Sequence, residues 1–211
     1  MTTFSTDAAT DTADAVTRVD FWFDPGCPYT WRTSRWLAEI PAQRPVDLTW
    51  RLMSLSVLNA GHEIPERYRS LMANNTRALR VFAAAEQTGG QGALTALYTA
   101  YGARRFDEGV DYDDDLMRAA IAAAGLPESL ADALDDESYD AGIAASHEES
   151  QARVGDEAGS PITAINDAKG YFGPVVVPVP TGDDAVRLFD ALRLLSGVAA
   201  FSELKGARAD L

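Results

Sequence analysis

One side chain in the sequence is suited to nucleophilic chemistry: the thiol of Cys27, the only cysteine among 211 residues. It follows an apolar, strand-like run and an Asp24-Pro25-Gly26 turn, and it directly precedes Pro28. Proline is favoured in the first turn of a helix, so Cys27 is predicted to stand at a helix start. Free backbone N–H groups and the helix dipole stabilise a thiolate there, which predicts a reactive thiol. The alternative is a buried, inert cysteine.

The histidines, acidic residues and glycines of the sequence do not have the spacing of a metal site or a phosphate-binding site. His62 and His147 have no cysteine or second carboxylate at ligand spacing, so no metal site is expected. The acidic run at 113–115 is expected to start a helix at the surface. The glycines within 89–92 follow a helical pattern rather than a strand, which argues against a phosphate-binding loop. Cys27 is therefore the main candidate.

The composition is that of an acidic globular protein. Hydrophobic residues make up 46% of the chain, and 18 basic against 32 acidic residues give a formal charge of −14. This charge disfavours nucleic acids and anionic membranes as partners. A single cysteine excludes an internal disulfide, and neither a signal peptide nor an apolar run of ~18 residues is recognisable. We expect a soluble cytoplasmic protein.

The first third of the chain has the pattern strand, helix, strand. Residues 19–23 and 46–53 alternate between apolar and polar side chains in the manner of strands. Between them, Trp36, Leu37 and Ile40 give a helix one apolar face. From 54 to 153 only helical patterns occur. The predicted helices cover 65–73, 76–88, 94–101, 116–123, 127–134 and 137–153.

Strand patterns return after Gly155. A proline leads into a strand-like run at 161–165, a hairpin partner follows at 171–173, and 182–196 forms an amphipathic helix. Without the helical stretch this is the order of the thioredoxin fold, βαβ followed by ββα. We therefore predict an α/β thioredoxin fold with a large all-helical insertion. The predicted segments are a flexible leader (1–17), two thioredoxin halves (18–53 and 154–198), the insertion (54–153) and a C-terminal tail (199–211).

Three motifs resemble those of DsbA-type thioredoxin proteins. They are Phe21-Trp-Phe-Asp-Pro-Gly-Cys-Pro-Tyr-Thr-Trp31, Gly159-Ser-Pro-Ile162 and Phe172-Gly-Pro174. The chain is most similar to the actinobacterial proteins described as mycothiol-dependent nitroreductases or mycothiol-linked disulfide oxidoreductases. The resemblance extends from about residue 18 to residue 205.

The resemblance implies a role for several residues. Cys27 matches the nucleophilic cysteine, Pro161 matches the cis-proline that faces it, and the backbone of Ser160 would pair with an extended substrate. The family's Cys-Pro-x-Cys motif is Cys-Pro-Tyr-Thr here, so Thr30 replaces the second cysteine. Tyr29 and Trp31 are the aromatic residues expected to be exposed near the thiol. The predicted catalytic residues are Cys27, Thr30 and Pro161, and the predicted substrate-binding residues are Pro28, Tyr29, Trp31 and Ser160.

The replacement by Thr30 restricts the mechanism. A hydroxyl group does not attack a disulfide at a useful rate, so an external thiol must regenerate Cys27. The resemblance implies mycothiol or another low-molecular-weight thiol, and a monothiol thiol–disulfide oxidoreductase that acts on small-molecule or protein disulfides. Thr30 follows Cys27 by three residues and can donate a hydrogen bond to the thiolate. We therefore predict a lowered pKa for Cys27, within about 3.5–7.5.

Two other functions remain open. One is a kappa-type thiol transferase or isomerase that activates a bound thiol without net redox chemistry. The other is a non-catalytic thioredoxin-like binding protein. Nitro-group reduction is not expected, because the sequence has neither a second thiol nor a G-x-G-x-x-G nucleotide fingerprint. A homodimer formed through the insertion is possible.

Overall fold

The computed structural model describes residues 15–155 and 158–207. The predicted leader therefore lies outside the described residues except for its last three. Among the described residues, none of the helices combines the length and apolar character needed to cross a membrane.

A four-stranded mixed sheet forms the centre of the molecule. Its strands are Thr17–Phe23 (β1), Val46–Leu52 (β2), Ile162–Ile165 (β3) and Gly170–Phe172 (β4). The order across the sheet is β2-β1-β3-β4, with β1 parallel to β2 and the other two pairs antiparallel. Trp22, near the end of β1, pairs with Ile162 at the start of β3. The loop after β1 and the loop before β3 therefore meet at one edge.

Helices surround this sheet, and those between β2 and β3 are grouped in one stretch of the chain. The α-helices are Pro28–Glu39 (α1), Leu55–Leu58 (α2), Glu66–Gly102 (α3), Asp114–Ala123 (α4), Asp140–Val154 (α5) and Gly182–Ser196 (α6). The 3-10 helices are Ile40–Ala42, Glu128–Asp135 and Glu137–Tyr139, and a π-helix covers Ala103–Asp107. The predicted thioredoxin fold is confirmed.

Helix α3 differs from the three separate helices predicted for the same residues. The only residue inside it with non-helical backbone angles is Gly90 (φ 63°, ψ −156°), where a helix end was correctly predicted. The break predicted near Asn75 is wrong. Asparagine is a weak helix former, but the buried Asn75 side chain donates to the Asp24 carboxylate. This tertiary contact outweighs the local preference.

Apolar side chains fill both faces of the sheet. Val19, Phe21 and Phe23 point to the larger core, which also contains Trp36 of α1 and Phe82 of α3. The opposite face carries a smaller cluster formed by Trp22, Met53, Ile162 and Ala164. The alternation in β1 is therefore correct, but Trp22 on its second face is buried as well. The sheet is a rigid base for the loops at its edge.

Candidate active site

Cys27 lies at the start of α1, in the loop that leaves the carboxyl end of β1. Its backbone is extended (φ −91°, ψ 117°), and its carbonyl accepts the first helical hydrogen bond from the Trp31 N–H at 3.1 Å. Pro28 occupies the first helical position. The predicted placement at a helix start is confirmed. The residue is 9% exposed, so the thiol is largely shielded from solvent.

The loop before β3 contacts Cys27 from the neighbouring strand. The Ser160–Pro161 peptide bond is cis, and the Cys27 thiol donates to the Ser160 carbonyl with a sulfur–oxygen distance of 3.6 Å. The Pro161 carbonyl accepts the N–H of Gly173 at 2.8 Å, which ties this loop to the end of β4. Residues 133 positions apart thus meet because β1 and β3 are paired.

Thr30 is fully buried one helical turn after Cys27. Its Oγ1 lies 2.7 Å from the Oγ of Ser160, and either hydroxyl can be the donor. The same Ser160 Oγ accepts the N–H of Asp24 at 2.9 Å. The hydroxyl that replaces the second cysteine is therefore linked to the cis-proline loop, a contact that the sequence did not indicate.

Asp24 is a component of the site that sequence reasoning missed, since it was assigned only to the turn. Its carboxylate is completely buried and accepts the N–H groups of Gly26 at 2.8 Å and Leu55 at 2.7 Å, and the Asn75 amide. Burial raises the pKa of Asp24, against the effect of these three hydrogen bonds. A signal existed: an acidic residue directly after an apolar strand, three positions before the cysteine.

Burial raises the pKa of the Cys27 thiol above its ordinary value, and the Asp24 carboxylate raises it further. Hydrogen bonds from the Thr30 hydroxyl and from the N–H groups of Thr30 and Tyr29 lower this pKa without overcoming burial. The predicted lowered pKa is therefore wrong. The helix start and Thr30 act in the predicted direction, but the thiolate loses more hydration than these donors replace.

Trp31 was expected to be exposed near the thiol, and this expectation is also wrong. Its side chain is 1% exposed and its Nε1 donates to Asp107 at 2.9 Å. Gly102 packs so closely on the ring that no Cβ would fit there, and the Arg35 guanidinium lies 4.0 Å from the ring centroid. Trp31 therefore joins α1 to the end of α3 and belongs to the core.

Two further predicted substrate-binding residues directly follow Cys27 at the start of α1. Pro28 and Tyr29 are half-buried, and Gly26 is exposed. The 42% exposed ring of Phe172 lies 3.5 Å from the Cβ position of Gly159, next to the cis-proline loop. Partly exposed aromatic surface thus lies next to the cis-proline loop.

Neither histidine is part of a metal cluster. His62 is exposed, His147 is buried, and burial lowers the pKa of His147. Within 15–155 and 158–207, no group of three histidine, cysteine or acidic side chains is arranged to hold a metal ion.

A thioredoxin-type sheet with a long helical stretch between β2 and β3 and a cysteine at the start of α1 is the arrangement of the DsbA-like class of thioredoxin-fold proteins. The fold is similar to a probable DsbA oxidoreductase of Streptomyces coelicolor, SCO1869 (TM-score 0.57, 20% identity, 92% of this chain and 94% of that one). It is also similar to the cytosolic disulfide reductase DsbM of Pseudomonas aeruginosa (TM-score 0.56, 21% identity, 84% and 99%).

Within that class, the chain belongs to the family of the mycothiol-dependent nitroreductase Rv2466c, whose family model matches residues 26–206. The chain is also 30% identical over 194 residues to the uncharacterized protein Rv2286c of Mycobacterium tuberculosis, covering 90% of this chain and 82% of that protein. This membership places the chain among thiol-dependent oxidoreductases.

Proposed function

We propose that the protein is a monothiol thiol–disulfide oxidoreductase in which Cys27 forms a transient mixed disulfide with a low-molecular-weight thiol. The observation that carries this proposal is the buried Thr30 hydroxyl, which stands where the resemblance places a second cysteine. Cys27 is the only thiol of the chain. A mixed disulfide on its sulfur therefore has to be resolved by a thiol from outside.

The cycle consists of two balanced exchanges. The Cys27 thiolate attacks one sulfur of a disulfide RS–SR′, the new bond to RS forms, and R′S⁻ leaves with the electron pair of the broken bond. A second thiolate then attacks the RS sulfur, releases a new disulfide and restores the Cys27 thiolate. Overall, R′ leaves as a thiolate and the external thiolate enters the new disulfide, so one sulfur is reduced and one is oxidised, and the protein itself is neither oxidised nor reduced.

The raised pKa of Cys27 sets the pH dependence of this cycle. At rest the neutral thiol donates to the Ser160 carbonyl. The thiolate fraction, and with it the rate of the first exchange, rises with pH until the pKa is passed. A thiolate of higher pKa is also the stronger nucleophile, which offsets part of its lower abundance.

Mycothiol is the thiol we propose, because the family is named for mycothiol dependence. Small-molecule or protein disulfides are the proposed substrates, and the proposed compartment is the cytoplasm, where the thiol pool is kept reduced. Nucleic acids and membranes are not proposed as partners, and a homodimer stays a prediction. Nitro-group reduction is not part of the proposal, since one thiol cannot deliver two electrons and return to its starting state unaided.

Intact-mass measurement after incubation with mycothiol disulfide tests the proposal. We expect one stable adduct of a single mycothiol on Cys27, removed by free mycothiol, and no adduct on Cys27→Ser. Thiol–disulfide exchange activity should be lost in the same variant. Absence of the adduct together with activity in Cys27→Ser would overturn the proposal and favour the thiol transferase or isomerase alternative. Absence of both adduct and activity in the unaltered protein would favour a binding protein.

A further inference from the structure

The Ser160 side chain connects the two groups nearest the thiol. The proposed cycle uses only its carbonyl, which accepts from Cys27. Its hydroxyl, 2.7 Å from Thr30 Oγ1 and 2.9 Å from the Asp24 nitrogen, has no part in that cycle. Ser160 is 5% exposed, and Thr30 and Asp24 are fully buried. Bulk water therefore does not compete for these hydrogen bonds.

The number of protons limits what this arrangement can do. Each hydroxyl has one proton to donate and two lone pairs to accept with. One lone pair of Ser160 Oγ is occupied by the Asp24 N–H. Only one proton fits between Ser160 and Thr30. If Thr30 donates it, no Thr30 proton is left for Cys27; if Ser160 donates it, the Thr30 proton is free to point at the sulfur.

The second arrangement is the one that a thiolate stabilises. A donated N–H polarises the Ser160 hydroxyl and makes it a better donor. The resulting chain runs from the Asp24 N–H through Ser160 and Thr30 to the negatively charged sulfur. We propose that Ser160 is a positioning residue whose hydroxyl directs the Thr30 proton to the Cys27 thiolate. This inference deepens the proposed function and rests on Cys27 being its reacting group.

Two further observations agree with this role. The Thr30 hydroxyl is the largest of the contributions that lower the pKa of Cys27. In the neutral state the thiol instead donates to the Ser160 carbonyl, so Ser160 contacts the sulfur in one protonation state and supports Thr30 in the other. The titratable groups near this site are Asp24, from the loop after β1, which raises the pKa of Cys27, and the buried Tyr98 of α3, whose own pKa is raised by Cys27 and Asp24 in addition to burial.

The test is a pH titration of Cys27, followed by thiolate ultraviolet absorbance with Cys27→Ser as the blank for tyrosines. Thr30→Val removes a hydrogen bond to a charged group, so the pKa of the thiol should rise. The expected change is an about tenfold fall in its acid dissociation constant. Ser160→Ala removes only the polarisation of that bond, and we expect about a twofold fall. Thr30→Ser and Ser160→Thr keep the hydroxyls and should restore the original midpoint.

The double variant decides between a relay and a separate effect. In the Thr30→Val background, Ser160→Ala should no longer move the midpoint of the thiol titration. The relay, that is, the hydrogen-bond chain from Ser160 through Thr30 to the sulfur, has then lost the Thr30 hydroxyl that contacts the thiolate. An equal shift in both backgrounds would overturn the proposal.

Should Ser160→Ala fail to fold, nuclear magnetic resonance of the unaltered protein replaces it. The buried Thr30 and Ser160 hydroxyl protons should then shift together with the Cys27 titration, and hydroxyl protons that do not respond would contradict the relay.

The titration needs no mycothiol, so its result is independent of the adduct experiment. If the titration shows coupling between Ser160 and Thr30 but no mycothiol adduct forms, the roles proposed for the two hydroxyls stand and only the proposed co-substrate is disproved. An adduct without coupling between the two hydroxyls would disprove only the relay.

Discussion

At the scale of single residues, the reactivity of Cys27 is a balance between burial and hydrogen bonding. Burial and the Asp24 carboxylate disfavour the thiolate, whereas Thr30 and the helix-start N–H groups favour it. Burial is the largest contribution, so the resting thiol is neutral. The Asp24 charge contributes less to this balance than burial or the Thr30 hydrogen bonds.

The variant Asp24→Asn is expected to lower the pKa of Cys27, because it removes the negative charge that raises this pKa. Titration of the thiol measures the shift. The variant should also lose about 1–3 kcal/mol of unfolding free energy, since one of the two carboxylate oxygens that accept from Gly26 and Leu55 becomes an NH₂ group, which cannot accept.

Asp20→Asn is the matched control for this substitution. Asp20 lies on the same strand but pairs with Arg51 at 2.6 Å, and it does not act on Cys27. We expect no change in the thiol titration for this control. A thiol pKa that rises or stays constant in Asp24→Asn would show that the carboxylate does not act on the sulfur.

At the scale of elements, α3 joins the site to the helical stretch between β2 and β3. Asn75 near its start bonds to Asp24, and Gly102 at its end packs on Trp31. Between them, Gly90 has φ +63° and ψ −156°, a conformation that is essentially restricted to glycine. The direction of the second half of α3, and thus its contact with α1, depends on this residue.

Gly90→Ala is expected to destabilise the protein by about 1–3 kcal/mol, because alanine is strained in this backbone conformation. Gly92→Ala provides the control two residues away. It has helical backbone angles and no atoms near its Cβ position, so we expect a gain of about 0.5–1 kcal/mol. Chemical denaturation of both variants measures these differences. Equal effects of the two substitutions would contradict the role given to Gly90.

The contrast between local and distant contacts explains which elements the sequence predicted well. Helix α6 and the hairpin of β3 and β4 follow directly from their apolar periodicity and turn residues. The continuity of α3 through Asn75 does not, because a contact with Asp24, 51 residues away, holds it in place. Trp31 was misplaced for the same reason: its partners Gly102 and Asp107 come from a part of the chain whose position no local pattern reveals.

At the scale of the whole molecule, the net charge of −14 determines which partners are attracted. The arginines on the strand side opposite the main core do not form an unneutralised patch. Arg18 pairs with Asp167 and Arg51 with Asp20, each at 2.6 Å. Neither the overall charge nor these paired arginines favour the binding of a polyanion.

We therefore expect no saturable binding of single- or double-stranded DNA, even at low ionic strength where such binding is strongest. Fluorescence anisotropy with labelled oligonucleotides measures this, with a basic DNA-binding domain as the positive control. Binding that weakens steadily as salt is added would reveal a basic surface that the net charge conceals.

The sequence by itself determined the position of Cys27 at a strand-to-helix junction, the thioredoxin order of elements and the replacement of the second cysteine by Thr30. These follow from periodicity, turn residues and motif, which depend on neighbours along the chain. Only the tertiary structure decided the protonation of the site. The burial of Cys27 and Asp24 and the pairing of Thr30 with Ser160 depend on groups that lie 31 to 136 residues from their partners. A pKa is set by all atoms around a group, so it emerges only when the chain has folded.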